Sequence, residues 1–209
     1  MEIALSKICG PQDIMTPINE KDESARKSFA NISAQNFYIP LNQYSKRKLL
    51  SYLSKNKKLP LRFYPHIGCR EIKQFVPKKI WSEYFKFTIE RNPFDKIVSL
   101  YYWREGDKRF GNIYEFIRRG GLKGFSSYDI YSIDGFVAVD KIYRFENLSF
   151  FCEDITKRLQ LRNPLQLPAY KAKSLHRKVR NYSDVLDEKS IELIKIIFAR
   201  EIQIMNYEY

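Results

Sequence analysis

The sequence predicts an α/β protein in which helices cover both faces of a mostly parallel sheet. Short strand-like runs alternate with amphipathic helical stretches, the clearest strand run is aromatic and β-branched, and no internal repeat or low-complexity linker breaks the alternation. At 209 residues, with 44% hydrophobic and 15% aromatic content, the chain can bury a real core and is too apolar for disorder. One domain spanning residues 1–209 is the expectation.

The elements follow in order. "EIALSKICGP" reads as a helix with Ile3, Leu5 and Ile8 apolar, stopped by Gly10-Pro11. Residues 11–45 are polar and punctuated by Pro11, Pro17 and Pro40, so loop with short helical pieces is expected. "SKRKLLSYLSKN" reads as an amphipathic helix with a basic face, and "LRFYPHIGCREIKQFVP" as a short extended run leading into a helix. In "YFKFTIE", Phe85, Phe87 and Ile89 alternate with Tyr84, Lys86 and Thr88, the period of a strand. The next helix opens with Asn92 as N-cap, Pro93 at its first position and Asp95 as a capping carboxylate, and Phe94, Ile97, Val98 and Tyr101 recur at helical spacing. "RFGNIYEFIRRGGLKGFSS" is a helix running into a glycine-rich loop. "VDKIYRFENLSFFCEDITKRLQL" is a strand, then a helix near Glu146–Leu161. Residues 164–183 are basic and irregular, and "DEKSIELIKIIFAREIQI" is a final helix with acidic residues in its first turn, where the helix dipole favours them.

A net charge of +13 and a pI near 9.5 point to an anionic partner: nucleic acid, a membrane surface, a phosphorylated cofactor or an acidic polysaccharide. Cys9, Cys69 and Cys152 form no CxxC pair and read as buried reduced thiols. No metal is expected, because neither of the two histidines has a partner at ligand spacing. No run is long enough to span a bilayer and no signal segment is recognisable, so a cytoplasmic, membrane-free protein is expected. "GGLKGFSS" lacks GxxxxGK[ST] and no strand leads into it, so it reads as a flexible loop; GxGxxG, HExxH and calcium-loop patterns are absent.

Arg91 carries the strongest chemical signal. It stands on a strand-to-helix turn beside backbone N–H groups that need an acceptor, where α/β proteins hold anions. A guanidinium there can grip a phosphate bidentately. Ser99 lies two turns along the helix, on the side shared with Asn92, Asp95 and Lys96. The plainer reading is that Arg91 pairs with Glu90 or Asp95 and Ser99 is an ordinary polar helix residue.

"YFKFTIERNPFDKIVSLYYW" resembles the 3′-phosphate-binding segment of carbohydrate sulfotransferases of the bacterial type, which use 3′-phosphoadenosine 5′-phosphosulfate as sulfuryl donor. The resemblance continues in "LSKICGPQDIMTPINEKDE", "VDKIYRFENL" and "EIQIMNYEY", and so covers nearly the whole chain. It implies a three-layer, P-loop-like fold with a mostly parallel central sheet, and a transfer of the sulfuryl group to a hydroxyl of a carbohydrate or other acceptor, acidic ones included. It implies that Arg91 and Ser99 hold the 3′-phosphate and that His66 in "YPHIGCREI" is the catalytic base, although a lone histidine after proline is more often structural. Lys171, Lys173 and Arg177 would be further contacts to the donor, with a plain solvated basic stretch as the alternative; His176 would be solvated or phosphate-facing. Glu146 in "YRFENL" would orient a neighbouring group or cap the following helix.

The family's first strand and its Lys-Thr-x-Gly-Thr-Ser loop, which wraps the 5′-phosphosulfate, have no counterpart in these residues. The expectation is therefore an N-terminally truncated domain, with Met1 internal to a longer protein or the gene shortened, that binds the 3′-phosphoadenosine end weakly and turns over poorly. Two rivals stand beside an active enzyme: a pseudoenzyme that retains 3′-phosphoadenosine binding, and a basic nucleic-acid-binding module. No nucleic-acid motif supports the second, and no nucleic-acid partner is expected.

Overall fold

The computed structural model describes residues 1–40, 44, 50, 62–125, 127–169, 177, 179 and 181–209. The basic helix expected at 45–56 lies outside them apart from Leu50, as do Lys171, Lys173 and His176. In chain order the elements are α1 (Glu2–Ser6), α2 (Glu20–Ala30), α3 (Cys69–Phe75), α4 (Lys78–Glu83), β1 (Phe87–Glu90), α5 (Pro93–Trp103), α6 (Gly106–Arg109), α7 (Ile113–Arg118), α8 (Tyr128–Tyr131), β2 (Ser132–Ile133), β3 (Phe136–Val137), β4 (Lys141–Arg144), α9 (Leu148–Arg158), α10 (Glu188–Ile197) and α11 (Ala199–Met205). None of the described helices is long and apolar enough to cross a membrane. The chain is mixed α/β and divides into two compact units: Met1–Lys86 with Ile130–Val139 and Ile155–Tyr170, and Phe87–Asp129 with Asp140–Asp154 and Lys171–Tyr209.

In the first unit, α2 supplies the fixed point. Asn19 caps it by accepting from the Asp22 N–H at 3.0 Å, and Asn31 ends it in the left-handed region at φ 54°. From its middle, the fully buried Arg26 donates to Glu2 on α1 at 2.7 Å, to Glu23 at 2.9 Å and to the Thr16 carbonyl at 3.1 Å. A buried guanidinium needs such partners, because an unpaired one would carry its full desolvation penalty. A separate small core joins Ile39, Tyr44, Phe63 and Phe75. The β2–β3 hairpin turns on Asp134 and Gly135, both at positive φ (53° and 82°). That conformation is what a two-residue Asp-Gly hairpin turn requires. The antiparallel pair was not anticipated, although its Asp-Gly signature stands in the sequence.

The second unit is built on the one parallel pair among the described residues, β1 with β4, in register Phe87↔Lys141 to Glu90↔Arg144. Phe87 packs on Tyr143 and Phe151 at ring separations of 5.7 and 5.4 Å. Helix α5 begins as its sequence dictates, with Pro93 at the first position and Asn92 accepting from the Phe94 N–H at 3.0 Å. Phe94, Ile97, Val98 and Tyr101, at i, i+3, i+4 and i+7, are all buried in a core shared with Ile113 and Phe116 of α7 and Ile194 of α10. Each such side chain contributes about 1.5–3 kcal/mol by leaving water.

The strand read at 84–90 is shorter than expected, Phe87–Glu90. The single final helix is two, α10 and α11, parted at Phe198 (φ −108°, ψ 25°). Phe198 is 2% exposed and belongs to the core, so the chain turns about a buried ring.

Candidate functional site

The site is built at the β1–α5 turn of the second unit. Three backbone donors of the turn are already taken. The Arg91 N–H donates to Glu90 Oε1 at 3.1 Å, the Asn92 N–H to Glu146 Oε1 at 2.7 Å, and the Phe94 N–H to the Asn92 side chain. Glu146, on the 3₁₀ turn Phe145–Asn147 that follows β4, thus fixes the turn rather than capping its own helix.

Two guanidinium groups meet at the start of α5. Arg91 Nε donates to Asp95 Oδ2 at 2.5 Å, and Arg177 Nη1 donates to Asp95 Oδ1 at 2.5 Å. A second Arg91 nitrogen also pairs with Oδ2, and the Arg91 guanidinium lies 4.8 Å from the centroid of the Phe145 ring. Arg177 is further held by the Val179 carbonyl at 2.6 Å. Asp95 therefore does not cap α5 as expected; Asn92 does, and Asp95 is the shared counter-ion of two arginines. Ser99 follows one turn after Asp95 on the same helical face, half-buried, with no hydrogen-bond partner among the described residues.

Behind the turn runs a buried polar chain. Lys96 Nζ pairs with Glu90 Oε1 and donates to Ser127 Oγ at 2.8 Å, and Ser127 donates to Glu201 Oε1 at 3.2 Å. Glu90 and Glu201 are 2% and 4% exposed. The ammonium also lies 5.0 Å from the Phe198 ring centroid and 5.9 Å from that of Phe125. Glu90 Oε2 is buried without a hydrogen-bond partner, so the one ion pair carries that carboxylate's burial. Glu201 also walls a cleft of about 280 Å³ with Phe125, Tyr128, Ile196 and Arg200; Arg91, Asp95 and Ser99 take no part in it.

The C-terminal residues lock the turn. Tyr207 OH lies 3.1 Å from both the Glu90 carbonyl and Glu146 Oε2. Asn92 Nδ2 donates to the Glu208 carbonyl at 3.3 Å, Arg144 donates to the Met205 carbonyl, and the Tyr209 ring meets Phe94 edge-on at 5.2 Å. Burial first, then the Glu146 charge and its hydrogen bond, push the Tyr207 phenol well above its ordinary value near 10.

Of the residues predicted for the site, the structure brings Arg91 and Arg177 together on Asp95 and sets Ser99 on the same face. His66 belongs to the first unit. It is exposed at the third position of the Tyr64–Ile67 turn, with φ 62°, Pro65 before it and the Ile67 N–H donating to the Tyr64 carbonyl at 3.2 Å. All three cysteines are free thiols, and burial pushes each one's pKa up, away from nucleophilic thiolate. The pairing of Arg91 with Asp95 is the plainer reading of the sequence, and it is what the structure shows. Sequence reasoning missed Arg177 as the second partner of Asp95 and the whole Glu90–Lys96–Ser127–Glu201 chain, which no local signal marks. Comparison with protein-family models, with curated proteins and with solved structures found no match to this chain.

Proposed function

We propose that the chain is a sulfotransferase domain that binds 3′-phosphoadenosine 5′-phosphosulfate by its 3′-phosphate and transfers the sulfuryl group to a hydroxyl of a carbohydrate acceptor. One observation carries the reading: Arg91 and Arg177 converge at the start of α5, one turn before the Ser99 hydroxyl. Two planar guanidiniums and a hydroxyl form a donor set suited to a phosphate with several acceptor oxygens. The strand–Arg-Asn-Pro–helix order and the Ser99 spacing are those of the resemblance described above, and the three-layer P-loop-like architecture belongs to the same proposal.

Arg91, Arg177 and Ser99 hold the 3′-phosphate, and Lys171 and Lys173 add positive charge along the same basic segment. The donor supplies a sulfuryl group on a phosphate leaving group. The acceptor hydroxyl gives up its proton to a general base as its oxygen bonds to sulfur, while the sulfur–oxygen bond to the 5′-phosphate breaks. Binding is tested first, by calorimetry with 3′-phosphoadenosine 5′-phosphate. Arg91→Ala is expected to lose ~1.5–3 kcal/mol of binding, as for a hydrogen bond to a charged group. Equal affinity of the two proteins would remove Arg91 from the site, and no binding by the natural chain would end the reading. Sulfuryl transfer to a carbohydrate is tested second. Binding without transfer would leave a nucleotide-binding module.

A further inference from the structure

We infer that Asp95 is the resident occupant of this anion site and sets its affinity, so that an entering phosphate takes over N–H groups Asp95 now holds. The inference rests on the reading of the β1–α5 turn as an anion site. Each carboxylate oxygen serves a different arginine, Oδ2 for Arg91 and Oδ1 for Arg177. One acceptor group thus bridges both guanidiniums, as a phosphate would. The side chains of Arg91, Asp95 and Arg177 are 25%, 20% and 15% exposed, buried enough for the charges to matter and open enough for a ligand to reach them. Helix α5 does not depend on this carboxylate for its cap, which Asn92 supplies.

The charges of the three groups sum to +1, from two guanidiniums and one carboxylate. Replacing the carboxylate by an amide raises that sum to +2 while keeping an oxygen acceptor for either arginine. A dianion gains twice as much from the added charge as a monoanion does. Because Asp95 is tethered, it also competes at a high effective concentration against any free anion. Asp95→Asn is therefore expected to tighten inorganic phosphate at pH 8 by ~10-fold and acetate by only ~3-fold, the square-root relation that a single removed charge imposes. Ser99, on the same face one turn on, is placed to donate to the oxygen that arrives.

The test titrates the natural chain and Asp95→Asn with sodium phosphate, sodium acetate and 3′-phosphoadenosine 5′-phosphate at constant ionic strength, following backbone amide NMR shifts. Asp95→Ser serves as a second variant should the first not fold. The expected result is tighter phosphate binding, a smaller gain for acetate, and loss of the gain when Arg91→Ala is added. Phosphate bound no more tightly by either variant would show that Asp95 positions the arginines and does not occupy the site, overturning the inference. So would the lack of saturable phosphate binding up to ~20 mM, well above the ~1 mM that a modest binding energy gives. A phosphate gain with no nucleotide binding by any protein would remove the nucleotide reading and leave the assignment of Asp95 intact.

Discussion

Replacing Lys96 by methionine exposes how the turn is held. The change keeps most of the side chain's length and apolar contact with Phe198 while deleting the ammonium. Glu90, 2% exposed, then retains one donor, the Arg91 N–H at 3.1 Å, because its second oxygen has none. Removing one partner of a buried ion pair leaves an uncompensated charge and costs about 3–5 kcal/mol. The upper half of that range fits here, since Ser127 also loses the donor at 2.8 Å. Glu90→Gln should cost less, because Lys96 is 11% exposed and keeps Ser127 and two aromatic faces. The double variant should recover most of the loss, as buried pairs exchanged for neutral groups often do. Urea unfolding followed by Trp103 fluorescence, in a Trp81→Phe background, reads this unit. With a slope of roughly 2 kcal/mol per molar urea, Lys96→Met should move the midpoint down by ~2–2.5 M. A loss below ~1 kcal/mol for Lys96→Met, or a double variant no better than the single, would refute the reasoning that this pair alone compensates Glu90.

Tyr207→Phe should cost ~1 kcal/mol at neutral pH. It should also flatten an alkaline transition. The folded phenol's pKa is raised, so the unfolded state releases its proton first and natural-chain stability falls as pH climbs above about 10, by at most ~1.4 kcal/mol per pH unit. Denaturation at a series of pH values checks this through the difference between the two proteins, and parallel curves would be the contrary result. Gly121→Ala would place a Cβ 2.3 Å from the Phe116 ring and 2.4 Å from its carbonyl oxygen. A loss of ~1–3 kcal/mol in thermal or urea unfolding is expected from that overpacking. Asn92→Ala should remove about 1 kcal/mol through the lost cap, measured the same way. At His66, held at φ 62°, glycine should be more stable than alanine by ~1 kcal/mol, so that His66→Gly separates loss of the imidazole from strain in the turn.

Local rules account for much of what the sequence revealed. Asn92-Pro93 opens α5, the 94/97/98/101 stripe is buried, and "KIYR" pairs as a strand with "FTIE". Each follows from capping, helical period or β-propensity within a dozen residues. What stayed hidden depends on which distant segments meet. Glu201 reaches the Lys96–Ser127 pair only because the last helix breaks at Phe198, and nothing in "IIFAREI" announces a break. The Arg91–Asp95 pair was legible from helical spacing, yet the second arginine on that carboxylate, Arg177, arrives by a contact across 82 positions. The Asp134-Gly135 hairpin was legible and overlooked, since attention to strand–helix alternation favours parallel pairing. Glu90 is the one buried residue of β1 although it is the charged one, because an ion pair, and not apolarity, makes its burial tolerable.

Phe198 is at once a wall of the hydrophobic core and the aromatic face against which the Lys96 ammonium rests, 5.0 Å from its centroid. Packing and charge at this position are therefore not separately adjustable over evolutionary time. Among sequences that share the turn, positions 96 and 198 should drift as a linked pair. A cation at 96 should travel with an aromatic ring at 198, and an aliphatic residue at 198 should coincide with loss of the cation and of the acid at 90 that it pairs with.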